Sequence, residues 1–337
     1  MDPRGFPTSL PECQAAFPND DACARYLESL RWPTGFTCPK CTWTGEPYRF
    51  AARPGVLRCR GCQASVSLTA GTVMQGTRVP LSRWFWGAYL ATTQTPGQSA
   101  LQFQRQIGIG TYETAFTMLH KLRAGMVRPE RDGIGGEHVV EVDECLIGGR
   151  TRGEGRGVHH KATVVGAIEV RVRKDAEARA AKHHADHEGG VPLKKPTYAG
   201  RLRLRAVTGR NAEALTGFVT DNIAKGSTVR TDGCPGYEEL RALGYDHGPL
   251  VLGGDHAKAE AHLRMIHLVF SNLKTWILGT HHGVSQQHLQ AYLNEFVFRF
   301  NRRFYPMTAF HSVLGLAAHG VAPTYAALYS GEWAHPW

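Results

Sequence analysis

Four cysteines stand at metal-ligand spacing. Cys38 and Cys41 form CPKC, Cys59 and Cys62 form CRGC, and seventeen residues separate the pairs. Two CxxC knuckles on facing hairpins supply the four thiolates of a tetrahedral zinc ion, a closed and structural site. A redox CxxC is the competing reading of such a pair. A second group is acidic. Asp143 follows the alternating run HVVEV, and Asp232 ends STVRTDG. Two carboxylates brought together need a cation between them to stay ionised, and hard oxygen ligands select Mg2+ or Mn2+. Such ions activate a water or a 3′-hydroxyl and stabilise the leaving oxygen in phosphodiester chemistry. An Asp before Gly at a strand end is also ordinary turn chemistry, and Asp232 alone reads that way. A third group lies in HLVFSNLKTWILGTHHG. His267 and Lys274 are seven residues apart, almost two turns at ~3.6 residues per turn, so both leave a helix on nearly the same side. The apolar stripe Ile266, Phe270, Leu273 and Ile277 runs beside them.

The elements that must position these groups follow from periodicity. DDACARYLESLRWP predicts a short helix capped by Asp20 or Asp21 and stopped at Pro33. TWTGEPYRFAARPGVLR, between the knuckles, predicts turn, strand, turn, strand, and LSRWFWGAYLATTQ a helix with an aromatic face. Leu101, Phe103 and Ile107 then mark a short helix, GIG a tight turn, and Thr111 to Leu122 a second helix with Ala115, Met118, Leu119 and Leu122 inside. Two helices about a Gly-containing turn form a helix-turn-helix, with Tyr112, Glu113, Thr117 and Lys121 turned outward to DNA; a plain αα-hairpin fits the same pattern. Beyond the linker RPERDGIGGE the pattern changes. HVVEVDE, KATVVGAIEVRV and RLRLRAV predict strands, NAEALTGFVTDNI a helix capped by Asn211, and STVRTDG a fourth strand, with helices after it. The polar segment RKDAEARAAKHHADHEGGVPLKKP reads as an exposed loop whose three histidines are solvated or bind metal. The order βββαβ sets the first and fourth strands side by side in an α/β sheet of ribonuclease-H-like (retroviral-integrase-like) type, with both aspartates in one site. The expected domains are a helix and zinc ribbon over 1–78, the helix-turn-helix over 79–128 and the catalytic domain over 136–320.

Composition agrees with a globular protein that meets a polyanion. Of 337 residues, 42% are hydrophobic and 20% charged, and 39 Lys and Arg against 29 acids give +10 at pH 7. Nucleic acid is the commonest such partner. MDPRGFPTSL lacks the apolar core of a signal peptide, and WFWGAYLA is too short to span a bilayer. A cytoplasmic protein without membrane attachment is expected. Disulfides are rare in that compartment, so Cys13, Cys23, Cys145 and Cys234 are expected as small buried residues.

These blocks together carry a resemblance. CARYLESLRWPTGFTCPKC, EVDECLIGGR, VRTDG with Tyr237, HLVFSNLKTWILGTHHGVSQQHLQAYL and NEFVFRFNRR span nearly the whole chain, from about residue 20 to about 305. The chain resembles bacterial insertion-sequence transposases of the DDE class, in the ISXO-like group with an N-terminal zinc ribbon. The resemblance implies a ribonuclease-H-like catalytic domain, Mg2+ dependence, and cutting and joining of transposon-end DNA. It implies a third active-site position on a helix after the fourth strand, usually Glu, with Lys or Arg seven residues later. His267 occupies that position and Lys274 the later one, in a group that tolerates His or Asn there. His267 then completes the metal pocket, orients the attacking water or acts as a base; a half-buried helix histidine is the plain alternative. Lys274 holds a DNA phosphate or a terminal base. Glu295 is a rival third acid, or the partner of Arg299 one turn on. Arg150, Arg152 and Arg156 after Asp143, and Arg299, Arg302 and Arg303 on the late helix, are expected phosphate contacts. The expected function is metal-dependent 3′-end cleavage and strand transfer, with an oligomer holding two DNA ends in the synapse on nucleoid DNA. The alternatives are a transposase-derived DNA binder without chemistry and a ribonuclease-H-like nuclease or resolvase.

Overall fold

The computed structural model describes residues 6–128, 130–148, 161–174, 196–251, 253–321, 323–330, 333, 334 and 336. Arg150, Arg152, Arg156 and the histidines of the loop at 175–195 lie outside the described residues. The chain forms two compact units, one of residues 1–129 with 290–337, the other of 130–289. The segment 136–320, expected as one domain, is thereby divided, and 290–320 belongs with the front end of the chain.

In the first unit, helices α1 (Leu10–Ala16) and α2 (Asp20–Arg31) precede the ribbon strands β1 (Tyr48–Arg49), β2 (Val56–Arg58) and β3 (Ser65–Ser67), an antiparallel sheet. The cap of α2 is Asn19, whose side chain accepts from Ala22 N at 3.0 Å, and not Asp20 or Asp21 as expected. Asp20 serves another helix: its Oδ1 accepts from the main chain and hydroxyl of Ser82, at the start of α3 (Leu81–Thr93). Helix α4 (Ala100–Ile107) stops at Gly108, in the left-handed conformation at φ 65°, and α5 (Tyr112–Ala124) starts at the Thr111 cap. That positive φ is the conformation glycine adopts without strain. Ala115, Met118, Leu119 and Leu122 are buried as their spacing predicts.

In the second unit the strands are β4 (Val139–Gly148), β5 (Lys161–Val172), β6 (Thr197–Val207), β7 (Thr228–Thr231) and β8 (Asp246–Pro249), in the sheet order β6-β5-β4-β7-β8. The first three pair antiparallel, and β4–β7 and β7–β8 pair parallel. The first and fourth strands are neighbours, as the order βββαβ predicts. Helix α6 (Ala212–Asn222) crosses between β6 and β7 and buries Leu215, Phe218 and Val219 against Val140, Val142, Val165 and Ala167. Helices α7 (His256–His262) and α8 (Arg264–Trp276) follow β8.

Helix α9 (Gln286–Asn301) contains the boundary at Gln290. Its later part, with α10 (Pro306–Ala317) and α11 (Tyr325–Ser330), belongs to the first unit. There Phe298, Phe310, Val313 and Leu314 share one core with Phe17, Leu27, Phe85 and Leu119.

Candidate active site and metal centre

The ribbon cysteines converge. Cys38 Sγ lies 3.8 Å from Cys62 Sγ, and Cys41 Sγ 3.7 Å from Cys59 Sγ. Four sulfurs about 2.3 Å from a central zinc sit at tetrahedral separations of roughly 3.8 Å, so the donor set fits that ion. Each knuckle turns on a non-glycine residue of positive φ, Thr42 at 59° and Gln63 at 60°. Thr42 N donates to Cys38 O, and Gln63 N to Cys59 O. Trp43, unmarked in the sequence pattern, lies so close to Gly61 that a Cβ there would come within 2.9 Å of its ring. With strands of two or three residues, the ribbon depends on its metal. Purified protein is expected to carry one zinc per chain, and Cys59→Ser or strong chelation should release it and change Trp43 fluorescence. Metal analysis with emission spectra checks this, and a chelated protein with native emission would refute it.

The acidic residues sit where β4 and β7 part. These strands pair only at Val140 with Val229 and Glu141 with Arg230. Beyond, Asp143 in the middle of β4 and Asp232 just past the carboxyl end of β7 follow the last β4–β7 pair by two residues each. Carboxylate oxygens of Asp143, Glu144 and Asp232 lie within 4.8 Å of one another. Asp143 and Asp232, two hard oxygen donors at that spacing, suit Mg2+ or Mn2+, while both Glu144 oxygens accept hydrogen bonds. Asp143 Oδ1 accepts from Glu144 N at 2.8 Å, and Asp232 Oδ1 from Cys234 N at 3.0 Å.

Helix α8 is brought to this site by two alternate residues of β4, which pleating points to one face. Glu141, 3% exposed, accepts from Ile266 N at 2.9 Å. Burial pushes its carboxyl above the ordinary range, against that hydrogen bond. Asp143 Oδ2 lies 3.0 Å from His267 Nε2. Gly166 pairs with Asp143 across the sheet, and a Cβ there would lie 2.9 Å from Ile266 and from Phe270. Its bare backbone allows the helix to approach. Ile266, Phe270, Leu273 and Ile277 are buried. Lys274 is exposed, makes no ion pair among the described residues, and is near enough to Cys145 to act on its thiol. Burial nonetheless pushes that thiol up to about 12, as it does for Cys13 and Cys23; Cys234 is only half-buried.

Glu144 was missed by pattern reasoning because alternation assigns it to the face opposite Asp143. Its Oε2 accepts from the Tyr237 hydroxyl at 2.8 Å and its Oε1 from Arg210 Nε at 2.6 Å. Burial pushes both the Glu144 carboxyl and the Tyr237 phenol up, the phenol well above its ordinary value with the help of the Glu144 charge. Tyr237 therefore keeps its proton and donates it.

The remaining expected residues belong to the first unit. Glu295, 2% exposed, receives Arg123 Nε at 2.9 Å and Arg299 Nη1 at 3.4 Å. Arg299 also donates to Gln94 O and Thr95 O, so it is turned inward and away from the phosphate role expected of it. Lys121 donates to Gln75 O at 3.0 Å and is half-buried rather than outward. Arg302 stacks 3.8 Å above the Phe298 ring, and burial with Arg128 nearby brings its pKa down to about 10.

Comparison with known proteins meets this geometry. Residues 18–65 match the transposase zinc-ribbon domain, and residues 134–301 match the ISXO2-like transposase domain. The chain thus belongs to the ISXO2-like transposases that carry an N-terminal zinc ribbon. It is 23% identical over 289 residues to an uncharacterized protein in transposable element ISH50 of Halobacterium salinarum, covering 84% of this chain and 91% of that one. No solved structure matches it. Among the described residues no helix is long and apolar enough to cross a membrane.

Proposed function

We propose that this transposase binds the terminal inverted repeats of its insertion sequence, cleaves their 3′ ends and transfers them into target DNA. The reading rests on one observation: the carboxylates of Asp143, within β4, and Asp232, just past its parallel neighbour β7, converge within a transposase domain. The sheet order supports a ribonuclease-H-like assignment of that domain. The helix and ribbon over 1–78, and α4 with α5 as a helix-turn-helix within 79–128, recognise the DNA ends. Exposed Tyr112 and Glu113 face the DNA there.

Asp143 and Asp232 hold Mg2+ or Mn2+, which when bound activates the attacking oxygen and stabilises the leaving one. Glu141 fixes the start of α8, so that His267 stays against Asp143 and orients its carboxylate. Lys274, further along that helix, meets a phosphate of the DNA end, and Arg302 contacts backbone phosphate without reading sequence. Two ends must be held together, so the active form is an oligomer on duplex DNA in the cytoplasm. A histidine in the usual Glu position favours a second reading, a DNA binder without chemistry. Incubation with labelled element ends and Mg2+ separates the two: a 3′ nick and a joined product are expected, and end binding without either supports the second. His267→Ala is expected to lower cleavage by roughly ten- to a hundredfold with end binding kept. Wild-type cleavage by that variant would remove His267 from the site.

A further inference from the structure

The β4–β7 ladder ends before the acids begin. Its two pairs, at Val140 and Glu141, lie upstream of Asp143, so main-chain pairing sets Asp143 and Asp232 in register, two residues beyond the last pair, without bonding their own backbones together. A side-chain connection crosses the opening instead. Asp143 Oδ1 accepts from Glu144 N, and Glu144 Oε2 accepts from the hydroxyl of Tyr237. Tyr237 is fully buried in the 3-10 turn Pro235–Leu240. That turn follows directly on Cys234, whose N–H donates to Asp232 Oδ1.

Burial makes this connection stiff. Glu144 has a side chain 3% exposed, and a buried carboxylate is costly unless every lone pair direction finds a donor. Arg210 supplies a fork to Oε1 through Nε and Nη2, while the Tyr237 hydroxyl takes Oε2. Both oxygens are thus directed by fixed donors, one of them in the core. A tyrosine whose ring is packed and whose hydroxyl has one partner holds that partner at one distance. Tyr237 belongs to the same buried core cluster as Leu215 and Leu240.

We propose that Glu144, Tyr237 and Arg210 form a brace that sets the spacing of Asp143 and Asp232, and that Glu144 and Tyr237 are positioning residues for the metal-binding pair. This rests on the reading of Asp143 and Asp232 as that pair. Partners that orient metal-binding carboxylates alter affinity for the ion as well as rate, and their loss typically costs about ten- to a hundredfold.

The test is Mn2+ binding to the full-length, zinc-loaded protein without DNA, followed by electron paramagnetic resonance. Tyr237→Phe is expected to weaken Mn2+ binding about tenfold. Cleavage at fixed Mn2+ should fall with it and recover as Mn2+ is raised, while end binding stays unchanged. Recovery by metal is what a merely structural role would not produce. Arg210→Gln alters an arginine 55% exposed, keeps the core intact, and is expected to act in the same direction. Asp143→Asn serves as the reference and should lose Mn2+ binding. If Tyr237→Phe and Arg210→Gln bind Mn2+ like the unaltered protein while Asp143→Asn does not, the brace is overturned and the metal pair stands. If Asp143→Asn itself binds normally, the metal pair fails and takes the brace with it.

Discussion

Asp143→Asn and Asp232→Asn should each lower end cleavage by roughly a thousandfold or more, since a metal site contributes several kcal/mol of charge stabilisation and about 1.36 kcal/mol is a factor of ten. Asn keeps the shape of each side chain. At position 143 it still accepts from Glu144 N and still meets His267; at 232 it still accepts from Cys234 N. What it removes is the negative charge that draws the ion. End binding and melting temperature should therefore stay close to those of the unaltered protein. Denaturing gels of labelled ends measure the first effect, and gel shifts the second. A Asp232→Asn protein that nicks at the normal rate would return Asp232 to the ordinary turn residue that its Asp-Gly context allows.

Glu295→Ala should act on stability and not on chemistry. Its carboxylate and the Arg123 guanidinium are both 2% exposed and 2.9 Å apart, and the same guanidinium lies 3.9 Å from the Tyr292 ring centroid. Removing one partner of a buried pair leaves an uncompensated charge and costs about 3–5 kcal/mol. A drop of roughly 10 °C in the melting temperature of the first unit is expected. Arg123→Met combined with Glu295→Leu should recover most of it, because well-packed apolar residues often replace a buried ion pair without loss. Calorimetry of the single and double variants checks this. Normal melting with abolished cleavage would instead make Glu295 the third acid.

The zinc ribbon was legible because ligand spacing is a local signal, and the sheet because its long strands alternate. Asp143 and Asp232 could be placed together for the same reason: strand order alone makes β4 and β7 neighbours. The strand β8 was not legible. Its sequence DHGP has no β-branched or aromatic residue and holds its place at the sheet edge by parallel pairing with β7. The cap of α2 was displaced by one residue because Asp20 is drawn to Ser82, a partner that no local window contains. Lys121 and Arg299 were expected outward by charge, yet each finds main-chain carbonyls far along the chain. Glu144 was hidden by alternation, and its importance emerges only with Tyr237 and Arg210 around it.

The division of the chain also dictates an order of events during synthesis. The sheet unit is a continuous segment, 130–289, inserted into a unit whose two parts are the chain's ends. Domains fold as units as they leave the ribosome, and the inserted one is complete first although it begins later. The front end must wait, because its core needs Phe298, Phe310, Val313 and Leu314 to cover Phe17 and Phe85. Polypeptides released early, before about residue 300, carry the zinc ribbon without the residues that close its unit. Premature termination is therefore expected to yield no stable amino-terminal fragment to compete with the finished protein for the DNA ends it is proposed to bind.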